Sequence, residues 1–136
     1  MTTQLIYASR ASAPSTDLAA VLAVSQPRNE AAGITGYLLA GPRWFVQVLE
    51  GEDAAVRETY ARIGLDPRHT DLALIGSRTI RRRSFPRWSM GGGEVGPDSG
   101  PVLARYDLAE DFDPREVPMP TLLALAMDLQ DRETVA

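Results

Sequence analysis

Two adjacent apolar segments in the middle of the chain constrain its fold more than any other feature. Residues 34–40 read ITGYLLA and residues 44–50 read WFVQVLE, and Gly41-Pro42 lies between them. Short apolar runs bounded by turn residues are typical of β-strands, and a short connection containing glycine predicts that the two strands form a hairpin. We therefore expect a β-sheet built around this hairpin.

Three further segments are predicted to be strands. Gln4–Ser9 reads as a short strand, with Leu5 and Tyr7 on one face. Leu72–Thr79 and Phe85–Met90, which follow the turn Asp66-Pro67-Arg68-His69, are predicted to be the last two strands. They complete a prediction of five strands.

Two helices are predicted between the strands. The first opens at Pro14–Asp17, where serine or threonine oxygens can cap free N–H groups, and it ends near Pro27. The second begins at Asp53 and ends near Gly64. The order βαββαββ predicts an α+β fold, ferredoxin-like in outline, with a mixed sheet and two helices on one face.

The C-terminal third is expected to be an extension of this core. Residues 91–101, GGGEVGPDSGP, read as a flexible break, so we expect a domain at 1–92 and a linker with a helical extension at 93–136. Beyond the break lie a short candidate segment at Val102–Asp107 and a predicted helix at Thr121–Gln130. We expect that helix to cover the sheet face toward which Trp44 and Val46 point.

Composition excludes several classes of site and partner. The chain has 136 residues, which suits one compact core, and no cysteine, so disulfides, thiolate nucleophiles and Cys-ligated metals are excluded. The single histidine, His69, excludes multi-histidine metal centres. A formal charge of -4 argues against nonspecific nucleic-acid binding. Without a signal-like N-terminus or a long apolar run, the chain is expected in the cytoplasm, away from membranes.

Two polar side chains stand out within apolar strands. Gln47 alternates with Phe45 and Leu49 on one face of its strand, and a buried amide needs hydrogen-bond partners. It is either a core glutamine bonded to nearby backbone or a residue that faces a bound polar ring. Tyr7, taken alone, is more typical of a core tyrosine than of a redox group.

Five segments in order resemble one known family. They are LIYASRAS, SQPRNEAAGITG, WFVQVLEGE, ETYARIGLDPRH and IRRRSFPRWSM, and together they span about residues 3–91. Their order and spacing resemble the BLUF family, which senses blue light using FAD. The resemblance implies that FAD lies between the two helices on one face of the sheet.

The resemblance also implies roles for individual residues. Tyr7 matches the family's light-driven electron and proton donor, Gln47 the glutamine between tyrosine and flavin, and Asn29 the asparagine that bonds the ring edge. The other matches are the flavin-contacting positions Arg62, Asp66, Arg68 and His69, and the last-strand pair Trp88 and Met90, implicated in passing the signal outward.

The function implied is a blue-light photoreceptor that is not an enzyme. Its signal would pass to an unidentified effector protein, and the family suggests a homo-oligomer without direct contact to nucleic acid or membrane. Two alternatives stay open: a flavin-binding interaction module that no longer responds to light, and a small ferredoxin-like enzyme or RNA-binding domain. The intact Tyr7 and Gln47 argue against the first. The absence of an RNA-binding motif or a paired nucleophile argues against the second.

Overall fold

A five-stranded sheet forms the centre of the molecule. The computed structural model describes residues 2–11, 18–67, 69–87 and 89–135. The strands lie in the order β4-β1-β3-β2-β5, and neighbours are antiparallel except for the parallel pair β2 and β5. The predicted α+β, ferredoxin-like fold is confirmed. The elements are β1 (Thr2–Ala11), α1 (Leu18–Ala32), β2 (Thr35–Ala40), β3 (Trp44–Gly51), α2 (Asp53–Ile63), β4 (His69–Ile80), β5 (Gly91–Glu94), α3 (Gly100–Ala104) and α4 (Met119–Val135).

The predicted hairpin is present and sets the register of the sheet. Ala40 pairs with Phe45, and the Gly41 N–H donates to the Trp44 carbonyl at 2.9 Å to close the turn. On its other side β3 pairs with β1, so that Tyr7 lies directly opposite Gln47. This pairing places two residues that are 40 positions apart on adjacent strands and the same face.

Each face of the sheet supports its own apolar core. Alternate residues of β1 and β3, such as Leu5, Phe45 and Leu49, pack with Leu18 and Val56 of the helices α1 and α2. The other alternate residues face the C-terminal part of the chain, which fills the second core. That core includes Ile6, Val46, Val48, Phe85, Leu122 and Leu125. The predicted side-chain alternation along β3 is confirmed.

The first helix does not end at Pro27 as predicted. It continues through Pro27 to Ala32, and the segment predicted to cap its start lies outside the described residues. A proline removes one N–H donor, but the turns beyond it still close normally. The helix ends at Gly33, whose φ of 71° is a left-handed conformation, and the Ile34 N–H donates to the Asn29 carbonyl at 2.8 Å.

The prediction of a last strand at Phe85–Met90 is wrong. The fifth strand is Gly91–Glu94, so the interpretation of 91–101 as a flexible break is also wrong there. The glycines allow close packing: a Cβ on Gly92 would lie 2.9 Å from Leu22 Cδ1, and one on Gly93 would lie 2.7 Å from the Tyr37 hydroxyl, so these side chains would have to move. We call residues 81–90, between β4 and β5, the β4–β5 segment.

The C-terminal part packs against the second sheet face. The predicted helix at Thr121–Gln130 is present as the longer α4, while Val102–Asp107 overlaps the short helix α3. Leu122, Leu125 and Ala126 of α4 join the core that contains Trp44, and the Trp44 ring lies 4.6 Å from that of Phe112. Within the described ranges, no helix has the length and apolarity to cross a membrane.

Candidate functional site

A hydrogen-bonded pair of polar side chains lies under the two N-terminal helices. The Tyr7 hydroxyl donates to Gln47 Oε1, and both side chains are buried, at 0% and 3% exposure. Burial raises the pKa of the Tyr7 phenol well above its usual range, and the neighbouring Tyr60 and Asp66 raise it further. The Tyr60 ring lies 5.4 Å from the Tyr7 ring at a tilt of 57°. The phenol is therefore firmly protonated at neutral pH.

The amide of Gln47 continues this chain to the end of the β4–β5 segment. Gln47 Nε2 donates to the sulfur of Met90 at 3.2 Å, and Met90 is completely buried. The backbone carbonyl of Met90 accepts from Gln26 Nε2 of α1 at 2.9 Å. One amide therefore connects the phenol of Tyr7 to the residue that immediately precedes β5.

A cavity of about 470 Å³ opens between α1 and α2, and Gln47 forms part of its wall. Its volume lies in the range typical of small-molecule and cofactor sites. The sequence-predicted residues Asn29, Gln47, Arg62 and Asp66 all line it, and Asn29 is buried. Tyr7 lies behind Gln47 rather than at the wall. The other lining residues are Val24, Ser25, Arg28, Thr59, Ile63, Leu65 and Pro67.

Two predicted site residues lie outside the described residues, and a third is described only through its backbone. Arg68 and Trp88 lie outside the described residues, and their roles stay predictions. His69 begins β4 and pairs with Ala11 through the backbone, but its side chain also lies outside the description. Met90 is placed, and it contacts Gln47 directly.

A second cavity, of about 240 Å³, lies on the other side of the sheet beside Trp44 and Phe112. Its charged lining is largely self-paired: Arg10 lies 3.6 Å from Asp71, and Arg115 lies 3.0 Å from Asp113. Polar groups that pair with one another leave little for a ligand to bind. The cavity between α1 and α2 is therefore the better candidate site.

Comparison with known proteins identifies the family. A family model described as sensors of blue light using FAD (BLUF) matches residues 2–91, well over half of the chain. The chain belongs to the BLUF family. FAD is the cofactor by which that family is defined, so this chain is a BLUF-type blue-light flavin sensor.

Relatives and solved structures agree with this assignment. The beta subunit of photoactivated adenylate cyclase from Euglena gracilis is 40% identical over 91 residues, which are 65% of this chain and 11% of the relative. A structure of BlsA in its photo-activated state has a TM-score of 0.82 at 26% identity and covers 95% of this chain and 94% of its own. BlrB, a BLUF protein in its dark state, has a TM-score of 0.71 at 32% identity, and the match covers 92% of this chain and 96% of BlrB. The chain spans only a small fraction of the cyclase subunits it matches.

The residues of the cavity between α1 and α2 fit FAD. The flavin ring has a polar edge of carbonyl, N–H and ring nitrogen groups and an apolar benzenoid end. Amides such as those of Asn29 and Gln47 can donate and accept at the polar edge. The apolar side chains of Val24 and Ile63 suit the other end, and the guanidinium of Arg62 suits an anionic phosphate. The donor set is suitable for this cofactor, and the volume is sufficient for its isoalloxazine ring.

Several residues at the site were not singled out by the sequence analysis. Thr59 is buried at the cavity wall one helical turn before Arg62, and Gln26 of α1 lies one turn before Asn29. The helical period of three to four residues, applied from the predicted positions, would have found both. Tyr60 of α2 is a further such residue, and its ring contact with Tyr7 is visible only in the packed structure.

Proposed function

We propose that Tyr7 and Gln47 are the photoactive pair of this blue-light sensor. The single observation that carries the proposal is a continuous hydrogen-bonded chain from the Tyr7 hydroxyl through the Gln47 amide to the sulfur of Met90. Gln47, the middle member of this chain, forms part of the wall of the cavity between α1 and α2. FAD, when bound there, absorbs blue light and supplies an excited state that accepts an electron. The protein orients the cofactor and responds to the electron transfer through its hydrogen bonds.

Tyr7 is suited to give up an electron and a proton together. Its raised pKa keeps the phenol protonated in the dark, so no tyrosinate is present before illumination. The hydroxyl proton already points at Gln47 Oε1, which gives it a defined direction of transfer. A neutral phenol that loses both particles leaves no buried charge on the side chain, which avoids the cost of a desolvated ion.

Gln47 is suited to respond to the loss of an electron and a proton from Tyr7, because its amide carries both a donor and an acceptor. In the structure the carbonyl oxygen accepts from Tyr7 and the NH₂ group donates to Met90. Rotation of the amide, or a change of tautomer, exchanges these roles and forces the neighbours to find other partners. A buried group left without a partner costs about 1–3 kcal/mol, enough to shift a two-state equilibrium.

The cofactor contacts follow from the lining of the cavity. Asn29 and Gln47 would bind the polar edge of the ring, while Arg62 and Asp66 would contact the flavin from α2 and the turn that follows it. Arg68 and His69, next along the chain, are proposed to extend this set. Met90 and Trp88 are proposed to relay the change at Gln47, Met90 through its sulfur contact.

The output is proposed to be a protein contact rather than a reaction. We propose that residues 1–92 form the flavin-binding unit and that 93–136 cover the sheet and carry the signal onward, without enzymatic activity of their own. The relatives named as photoactivated adenylate cyclase subunits support coupling to an effector. We also propose a cytoplasmic homo-oligomer that acts on an effector protein. The acidic charge of the chain argues against direct contact with nucleic acid.

The test compares two buried tyrosines. Tyr7→Phe removes the hydroxyl beside Gln47, whereas Tyr37→Phe removes one on the opposite sheet face, where Tyr37 stacks on Phe85 at 6.0 Å. After reconstitution with FAD, illuminated wild type and Y37F should show a reversible red shift of the flavin bands, and Y7F should show none. A full, reversible shift in Y7F would exclude Tyr7 as the donor.

A further inference from the structure

A buried polar cluster lies beneath the C-terminal helix, on the sheet face opposite the flavin cavity. Glu50 of β3 is completely buried, and its carboxylate accepts from the backbone N–H groups of Ser84 at 3.0 Å and Phe85 at 2.7 Å. It also accepts from Gln4 Nε2 at 2.8 Å. Three donors therefore fix one carboxylate, and the carboxylate fixes the start of the β4–β5 segment.

The charge of Glu50 is balanced through an amide. Gln4 donates to Glu50 with its nitrogen and accepts from Arg78 Nε at 2.8 Å with its oxygen. This relay connects a buried carboxylate to a guanidinium at the edge of the sheet. Because hydrogen bonds to ionised groups are stronger than neutral ones, Glu50 sets the resting position of Ser84 and Phe85 beside β3.

Gln130 inserts from α4 toward this anchored point. Its side chain is buried, and its Nε2 donates to the Ser84 carbonyl at a long 3.4 Å. Its Oε1 atom is also buried and has no hydrogen-bond partner among the described residues. The amide is thus half satisfied, and a small displacement of Ser84 would leave all of it buried without a partner.

The β4–β5 segment joins this contact to the photoactive pair. At the last residue of the segment Met90 receives a hydrogen bond from Gln47, and nearer its start Ser84 receives one from Gln130. The apolar contacts of α4, made by residues such as Leu122 and Leu125, have no preferred direction and tolerate small shifts. The Gln130 hydrogen bond is directional, so it senses the position of the segment most sharply.

We propose that Gln130 is the positioning residue through which the state of Gln47 reaches α4. The inference rests on the proposed function and adds the residue on the output helix that receives the signal. When the β4–β5 segment shifts, the Gln130 amide loses Ser84. The C-terminal half of α4 then loosens, because a wholly unpartnered buried amide is relieved by letting water reach it.

The experiment measures amide hydrogen exchange of the full chain loaded with FAD, in the dark and under blue light. In wild type, illumination should raise exchange of residues 126–133 by about fivefold, the equilibrium factor for losing one average hydrogen bond. Gln130→Leu, of similar size and without polar atoms, should bring the light-to-dark ratio to about one. The matched control is Met127→Leu at an exposed position of α4, which should keep the wild-type ratio.

The absorption spectrum separates failure of this inference from failure of the proposed function. Without a red shift in wild type, the proposed function fails. With a normal red shift, the inference is overturned if α4 does not respond in wild type or if Q130L responds like wild type. Circular dichroism checks folding, and Gln130→Met serves as a second variant with the same expected loss if Q130L does not fold.

Discussion

Replacing Glu50 by leucine should destabilise the protein substantially, although the site is buried and leucine is apolar. The substitution leaves the Phe85 N–H and the Gln4 amide without their acceptor in a buried setting. Each orphaned buried donor costs about 1–3 kcal/mol, while the half-buried Ser84 N–H can recruit water at little cost. Burial of the leucine side chain recovers roughly 1–2 kcal/mol of this.

The net expected loss is about 3 kcal/mol in the free energy of unfolding, a large part of the roughly 5–15 kcal/mol available to a domain of this kind. Urea denaturation followed by circular dichroism measures it, and the midpoint should fall while the slope is unchanged. Glu50→Gln keeps one acceptor oxygen and should lose about half as much.

Glu94, an exposed glutamate at the end of β5, provides the control. Glu94→Leu should change stability by no more than about 0.5 kcal/mol. If the free energy of unfolding of E50L is also within about 1 kcal/mol of the wild-type value, the three hydrogen bonds to Glu50 do not anchor the β4–β5 segment as argued. The role assigned to Ser84 would fall with them.

Three further outcomes are expected. Gln47→Leu should retain FAD, because Asn29 and Arg62 remain, but should show no light-induced red shift; an unaltered shift would remove Gln47 from the switch. Gly36→Ala should destabilise by about 3 kcal/mol or more in the same urea assay, since the new Cβ would clash with the Val48 carbonyl oxygen and lie 3.2 Å from Met90 Cε; near-wild-type stability would contradict this close approach. Because the folded-state pKa of Tyr7 is raised, its contribution to stability is complete below about pH 10 and is lost as the pH rises above the unfolded-state value. The alkaline loss of stability should therefore be smaller in Tyr7→Phe than in wild type, and equal slopes of unfolding free energy against pH would contradict it.

The sequence was informative wherever a local pattern and a tertiary constraint agreed. The hairpin of β2 and β3 was predictable because turn residues and apolar runs coincide, and strand alternation placed Gln47 on the face toward the helices. Residue types in five ordered segments were enough to identify the family and its candidate residues. The chemistry of the site could thus be anticipated before its geometry was known.

Predictions failed where packing overrode local preference. Pro27 is a strong helix-breaking signal, yet the helix continues beyond it, because the next turn packs the buried Asn29 into the fold. The helix ends only at Gly33. The strand at Gly91–Glu94 was not predicted because consecutive glycines are typical of a flexible linker. In the fold, Gly92 and Gly93 lie close against the side chains of Leu22 and Tyr37.

Contacts between distant segments could not be predicted from periodicity. The bond from Gln26 to the Met90 carbonyl and that from Gln130 to Ser84 each join residues more than 40 positions apart. A lone glutamine in a helix carries no local signal for such a partner. Only the packed fold shows that these amides meet the β4–β5 segment.

The most direct test of the central claim is the absorption spectrum of the protein reconstituted with FAD, recorded in the dark and after blue illumination. The account predicts a flavin spectrum whose bands shift to the red under light and return in the dark, because the hydrogen bonds around Gln47 rearrange reversibly. A bound flavin whose bands do not move under light would contradict the photoactive role of Tyr7 and Gln47. Failure to bind FAD would contradict the assignment of the cavity itself.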